Sequence, residues 1–408
     1  MEPEAAPRSA GPLRLIAANR PFRLLWSARA VSFLGDSLSL VALMLYVADT
    51  TGQALAVALL LLVGDFAPAL LGPLTGAVSD RFDRKRVMVA SELVQGGVLV
   101  VIALWLPSTP LLLVLVGVRA MAGQIFQPAS RAAVPALVRD RDLQSANAAV
   151  GIGTNGGEAL GPLLAALLLP VLGIRGVLLL DAATFLVSAA LLTFLPATRR
   201  RPPEHDRPES LPAAAAAGLR HIASSRVLRA IGLGYFAVVA FNGIDDVALV
   251  FLARDTLGGA ESAVGMLLAA VGIGLFLGYG LLSRPGRRMS MIPLLIAGFA
   301  VSSAGNLLTG LAWAVAAAFI VQVGRGLGIA AMDVAAGTLI QRTVPEDMLG
   351  RVFGSLYGAI GVAAALSYVC GGLLLDVTTP PVAFLVAGTG GLVATLATAL
   401  SLRRADSP

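Results

Sequence analysis

Val41-Ala-Leu-Met-Leu-Tyr-Val-Ala-Asp-Thr50 and Val247-Ala-Leu-Val-Phe-Leu-Ala-Arg-Asp-Thr256 are two versions of one apolar stretch. The offset that aligns them also places Arg119 on Arg325. At nearly the same offset, Arg81-Phe-Asp-Arg-Lys85 falls on Arg284-Pro-Gly-Arg-Arg288. Each match is weak alone, but three in one order point to an internal duplication. A membrane-spanning helix needs about 20 mostly apolar residues. By that ruler six segments precede a polar centre, at 22–48, 54–78, 87–106, 110–134, 146–170 and 173–195. Six more follow it, at 229–252, 260–283, 289–309, 312–336, 352–376 and 380–402. The chain therefore reads as an all-α membrane protein: twelve transmembrane helices in two pseudo-symmetric six-helix bundles. A repeat of this kind, with both halves in one orientation, is the layout of a rocker-type transporter whose site lies between the halves at mid-membrane.

Composition agrees. Of 408 residues, 57% are hydrophobic and 13% charged, more apolar surface than a water-soluble chain of this length can hide. The divisions expected are a tail at 1–21, a first half at 22–195, a linker with an interfacial helix at 196–228, a second half at 229–402 and a tail at 403–408. The linker opens on Ala197-Thr-Arg-Arg-Arg-Pro-Pro-Glu-His-Asp-Arg-Pro and turns Ala-rich and weakly amphipathic, which reads as a partly disordered link followed by a helix lying in the interface.

A net charge of +6 invites a nucleic-acid reading, but the arginines sit in short breaks between apolar segments rather than on a polar domain. Arg119 and Arg325 fall within spans and Arg175 and Arg254 on one face; the other basic residues are assigned to loops on the opposite face. That bias makes the opposite face cytoplasmic, with both termini inside. The near-absence of Lys (Lys85 is the exception) fits a GC-rich, bacterial genome and hence the inner membrane. Met1–Pro12 has no signal-peptide pattern. Cys370 is the single cysteine, and His205 and His221 lack ligand-spaced partners, so no metal site is expected. Neither a phosphate-cradling loop nor a nucleophile–base set is present, so the chain is not expected to be an enzyme, and its energy should come from an ion gradient without a cofactor.

The spans hold the acids Asp36, Asp65, Glu92, Glu158, Asp245, Asp246 and Asp333 against the bases Arg119 and Arg325. Several carboxylates would then have no basic partner, and a desolvated carboxylate binds a proton. Asp36, flanked by Gly35 and Ser37, is the first choice for proton coupling. Its repeat partner is Asn242, beside Asp245 and Asp246. Glu158 lies within one helical turn of Asn155 and shares a face with it. Asp65, Glu92 and Asp333 read as structural. Phe126, Tyr235, Phe236, Phe241, Tyr357 and Tyr368 are candidates to line an aromatic cavity.

Three motifs add a resemblance. Gly76-Ala-Val-Ser-Asp-Arg-Phe-Asp-Arg-Lys-Arg86 resembles the loop signature Gly-x-x-x-Asp-Arg-x-Gly-Arg-Arg of the major facilitator superfamily. The resemblance implies a latch closing the halves on the cytoplasmic side: Gly76 for close approach, Asp80 on a helix N-terminus near Gly350 and Arg351, and Arg81 and Arg84 as ion partners. Asp83 departs from the signature, where Gly is usual, and Ser283 stands where a second Asp80 would be. Arg119-Ala-Met-Ala-Gly123 resembles the family's Arg-x-x-Gln-Gly element, whose arginine handles protons in related antiporters. Gly157-Glu-Ala-Leu-Gly161-Pro162-Leu-Leu-Ala-Ala166 resembles the helix-five antiporter element, with Gly157 and Gly161 as a small packing face and Pro162 as a kink. Phe126–Pro135, Leu143–Asn147 and Gln341–Phe353 are similar to macrolide-efflux and enterobactin-exporter-like drug:proton antiporters. In that superfamily helices one and seven line the central cavity, which would place Asp36 and the Asn242–Asp246 stretch at the site, with Arg119 and Arg325 beside them.

The resulting expectation is a monomeric, proton-coupled exporter of small amphipathic compounds such as drugs, antibiotics or siderophores, with the lipid bilayer as its medium. A lysophospholipid-handling carrier is the alternative. A non-transporting receptor would have no use for a latch.

Overall fold

The computed structural model describes residues 11–51, 54–66, 68–196, 210–257, 261–283 and 289–403. Residues 1–10 of the tail and 197–209 of the linker lie outside the described residues. The first half holds α1 (Arg20–Thr51), α2 (54–81), α3 (Arg84–Trp105), α4 (Thr109–Leu137), α5 (143–172) and α6 (174–193). The second holds α7 (226–256), α8 (Glu261–Leu282), α9 (Met291–Gly310), α10 (Val315–Thr343), α11 (Leu349–Val377) and α12 (Pro380–Arg403). No strand occurs among the described residues. Two short helices lie beside the spans. One is Pro12–Ala18; the other, Leu211–Ser224, meets the first segment of α7 at 99°.

Local chemistry explains where the spans break. α5 and α6 run on as Leu143–Thr193, turning only at Gly173, where φ is 64° and ψ 178°, a region essentially confined to glycine. α2 carries a π-helical turn at Leu62–Phe66 and α7 another at Leu252–Thr256; such turns recur at functional positions in helices. Asp83, the departure from the loop signature, caps α3: its carboxylate accepts from the Arg86 N–H at 2.9 Å. An acidic cap satisfies an orphan helix donor, so the loop keeps its turn without the glycine.

Within the first half, α1 packs along the α5–α6 run, and α3 packs on the same run and on α4. The second half repeats this with α9 on α10 and α12, α8 on α10, and α7 on α12. Between halves, α2 and α4 meet α11, while α5 meets α8 and α10. An apolar cluster bridges this seam, joining Ala132 and Ala148 of the first half to Tyr279, Phe299, Phe353 and neighbours of the second. Outward-facing leucines and valines, such as Val114 at 62% exposed, suit hydrocarbon rather than water. The loops 82–83, 138–142 and 344–348 share one face with the ends of α2, α10 and the start of α11; we refer to it as the basic face.

Arg29 and Arg131, which the sequence reading left among the loops of that face, instead lie inside α1 and α4, 2% and 6% exposed. Both positions already fall inside the expected spans 22–48 and 110–134, so they belong with Arg119 and Arg325 among the buried bases.

Gly157 and Gly161 form the small face that packs α5 on α1. A Cβ at Gly161 would sit 2.1 Å from the Ser37 Cβ, and one at Gly157 3.0 Å from the Leu34 backbone nitrogen. Gly161→Leu is therefore expected to force α5 off α1 and to lower the melting temperature in detergent by many degrees, or to abolish folding, as overpacking does. Gly97→Leu, where a Cβ meets nothing within 4 Å, should leave it unchanged; melting followed by size-exclusion fluorescence checks both.

Candidate functional site

The basic face is closed by Asp80. Its two carboxylate oxygens accept the backbone N–H groups of Gly350 and Arg351, each at 2.8 Å, at the N-terminus of α11. An anion on unsatisfied amides at a helix N-terminus gains from both hydrogen bonding and the helix dipole. Arg351 and Arg84 stand 3.7 and 3.8 Å from the same carboxylate. Arg84 also donates to the carbonyls of Ala132, at 3.0 Å, and Glu346, so it ties α3 to α4 and to the other half. Arg81 stacks over Phe82 at the exposed rim. Gly76 lets α2 approach: a Cβ there would lie 2.3 Å from the Gly350 carbonyl oxygen. Asp140–Arg342, at 2.9 Å, and Asn147 donating to Gln341 Oε1 at 2.6 Å extend the closure to α5 and α10. On the other side of the repeat, the Ser283 hydroxyl donates to Gly280 of its own helix, and Gln144 donates to the Leu282 carbonyl at 2.9 Å.

Deeper in the seam, Arg131 of α4 faces Asp333 of α10 at 3.5 Å and lies over the Tyr357 ring. Tyr279 donates to Asp333 at 3.2 Å, and Asn155 donates to Tyr279 at 3.1 Å. Asn155 is thus a seam residue. Asp333, read from sequence as structural, carries an ion pair between the halves.

Above the seam lies a cavity of about 660 Å³, lined by α1, α2, α3, α4 and α6, with Tyr368 from α11. Arg119 and Asp36 both line it and form an ion pair. Asp181 of α6, fully buried, stands 3.8 Å behind Arg119. Phe185 lies under the same guanidinium. Glu92 also lines the cavity, 1% exposed, with neither carboxylate oxygen hydrogen-bonded. Arg29, held between Phe33 and Phe126, bonds to Ser130 and to Gln127 and faces Glu92 electrostatically.

The repeat partners do not meet across this cavity. Asn242, buried, donates to Ser303 at 3.1 Å and accepts from Asn306, all within the second half. Arg325 pairs with Asp245, with side chains 7% and 4% exposed. This cluster mirrors Arg119–Asp36 in sequence, yet α9 and α12 cover it. The side chains of Asp65, Glu158, Pro162 and Asp246 lie outside the described residues. Of the six aromatic candidates, Phe126 and Tyr368 line the cavity; Tyr235 packs on Phe299 and Tyr357 stacks with Phe353 near the seam. Asp181 and Arg131 were legible in principle, since each falls inside an apolar span where a charge signals a functional interior. Arg29 gave a weaker signal, because it lies near a span end.

The model for the Major Facilitator Superfamily matches residues 25–327 and again 231–408. This chain belongs to that superfamily. It is 29% identical over 404 residues to the "Uncharacterized MFS-type transporter YfiS" of Bacillus subtilis (strain 168), covering 94% of this chain and 93% of the relative. It is 25% identical over 389 residues to "Macrolide efflux protein A" of Streptococcus pyogenes, covering 90% and 92%. Among solved structures, the human organic anion transporter MFSD10 superposes with a TM-score of 0.77 at 20% identity, over 93% of this chain and 99% of that one. The twelve-helix architecture is therefore that of a membrane transporter family.

Asp80→Ala removes one charged acceptor from two backbone donors, at a cost of about 1.5–3 kcal/mol per charge-assisted bond. Spin labels at the exposed Arg139 and Asp347, which leave the Asp140–Arg342 pair intact, should report at least a tenfold loss of the short-distance, closed population. An unchanged distance distribution would show that Asp80 does not hold this face.

Proposed function

We propose that the protein is a proton-driven exporter of small amphipathic compounds, working by alternating access between its halves, with the basic face cytoplasmic and the structure closed on that side. The observation that carries this reading is the Arg119 guanidinium held between Asp36 and Asp181 at the cavity wall. One cation beside two carboxylates leaves a negative charge uncompensated in a water-poor site, and binding a proton removes that cost. Asp36 is the exchangeable member, because its side chain is 31% exposed whereas that of Asp181 is fully buried. Glu92 adds a third carboxylate against the second guanidinium, Arg29, so the described cavity groups carry one surplus acid.

Two features support an amphipathic cargo. Phe33, Phe126, Phe185 and Tyr368 line the cavity with aromatic rings, and Gln95, Gln124 and Gln127 add amide side chains to its wall. Apolar walls with few polar groups hold drug-sized ligands without demanding one shape. The macrolide-efflux relative agrees in cargo class. Export is the direction supported by the resemblance of Gly157–Ala166 to the antiporter element, whose glycine face packs α5 on α1 immediately beside Asp36. The Asn242–Arg325–Asp245 cluster is read as the rigid counterpart that keeps the second half intact while the first half exchanges its proton.

In a pump-deleted host, the wild-type chain should lower accumulation of compounds in an amphipathic panel, and a gradient collapser should abolish the effect. Asp36→Asn should express normally and lose the proton-dependent component entirely. Undiminished, gradient-dependent pumping by that variant would refute the role of Asp36, and gradient-independent movement of labelled lysolipid by the wild type would favour a lipid carrier instead.

A further inference from the structure

Glu92 lies nearer the basic face than Asp36 does. At that face Asn19 donates to the Leu137 carbonyl and Lys85 to the Leu195 carbonyl, tying the ends of α1 and α3 to those of α4 and α6. Measured from these ends at the rise of an α-helix, Glu92 is about 12 Å along α3, Asp181 about 18 Å along α6 and Asp36 about 24 Å along α1. The three carboxylates therefore descend from the cavity toward the closed face.

Glu92 is buried, and neither of its oxygens meets a hydrogen-bond donor. The groups that face it are Arg29 and Ser32 from α1 and Asp181 and Ser188 from α6. Arg29 spends its two Nη groups on Ser130 and Gln127 of α4 rather than on Glu92. An ionised carboxylate held in this way would be desolvated without a donor, which is costly. The neutral acid avoids that cost, and its O–H can turn to the Ser188 hydroxyl, which is itself buried and unbonded. A bulky cargo cannot reach oxygens sealed from the cavity, whereas a proton can.

The means of displacing such a proton lies in the seam. Arg29 and Arg131 sit close enough to repel each other, and Arg29 bonds to Ser130, the neighbour of Arg131 on α4. Asp333 faces Arg131 at 3.5 Å, but it belongs to the other half. When the halves part, Asp333 leaves with α10. Of the acids that face Arg29, Asp333 and Glu92, the second then stays behind beside two guanidiniums. Opposite charge close by favours the ionised carboxylate.

We propose that Glu92 is a second proton carrier whose charge state is set by the seam. It holds a proton while Asp333 grips Arg131, and gives it to water at the basic face when the halves part there. On reclosure Asp333 returns, and Glu92 takes a proton from the cavity side, where Asp36 is exposed. One proton thus enters from the cavity and one leaves at the basic face in each cycle. The proposal rests on the proton-driven reading above and adds a link that Asp36 does not supply. Both partners of Asp36's network, Arg119 and Asp181, belong to the first half, so separation of the halves leaves that network intact.

The test is infrared spectroscopy of the full chain in nanodiscs at neutral pH, following the C=O stretch of protonated carboxyl groups, which carboxylates lack. Glu92→Gln should delete one component of that band. Asp333→Asn keeps Glu92 but strips Arg131 of its partner, and should delete the same component. Adding Arg131→Gln to Asp333→Asn removes the pair whole and should restore it; a merely structural Glu92 would ignore both changes. Asp80→Ala should diminish the component in step with the opened population read from the labels at Arg139 and Asp347. If Asp333→Asn does not fold, Asp80→Ala carries the test of coupling. A band untouched by Glu92→Gln would show that Glu92 is ionised. A component deleted by Glu92→Gln but indifferent to Asp333→Asn, or to opening by Asp80→Ala, would show a proton fixed in place. Either result overturns the proposal. None of these measurements needs a cargo, so a wild type that pumps no panel compound would defeat the transport reading and leave the state of Glu92 separately decided.

Discussion

A guanidinium cannot sit unpaired in hydrocarbon, and the interior of this protein is arranged around that constraint. Arg119 takes Asp36 and Asp181, Arg325 takes Asp245, and Arg131 takes Asp333. Each pair does different work because of where its two members are rooted. Arg325–Asp245 joins helices of one half and is sealed by its neighbours, so it locks that half as a unit. Arg131–Asp333 joins the two halves and cannot survive their separation. Arg119 joins helices of one half but borders the cavity, and of its two carboxylate partners Asp36 is the one exposed there. One rule of burial thus yields a brace, a clasp and the pair to which we assign proton exchange.

The fold was legible because the bilayer imposes a length. Apolar segments near 20 residues must be helices, and the duplicated stretches at 41–50 and 247–256 gave the two-half layout. The latch was legible through resemblance: the likeness of Gly76–Arg86 to the loop signature implied Asp80 on the helix end near Gly350 and Arg351, where its two hydrogen bonds lie. The cavity was less so. Sequence symmetry placed Asn242 and Arg325 opposite Asp36 and Arg119, but symmetry of sequence does not carry symmetry of exposure. Asn242 is turned into Ser303 and Asn306, a contact set by α9 that no pattern in α7 announces. Asp181 and Arg131 escaped for a different reason. Hydropathy averages over a window, and one charge in an apolar window barely moves the average while dominating the energetics. Arg29 and Glu92 face each other from α1 and α3, a pairing that depends on how two helices rotate about their own axes.

The asymmetry between the halves also has a mechanical reading. The α2–α11 contact is held by charge on a helix end, whereas the α5–α8 contact is held by the Gln144 amide on a carbonyl and by Tyr279 packing. The duplicated scaffold therefore closes one face with two seams of unequal character, one electrostatic and brittle, one adaptable.

The hydrogen-bonding partner of Asp80 on α11 is not a side chain. It is a pair of peptide N–H groups, present whatever residues occupy positions 350 and 351, with proline the exception. On the α11 side the hydrogen-bonding half of the latch is thus encoded by the backbone and is indifferent to most mutations, although Gly350 must stay small beside Gly76. For those two hydrogen bonds the side-chain information resides in one carboxylate on α2. A lineage can retune the strength of this closure by changing that single acid, while the surface it grips stays chemically constant through drift.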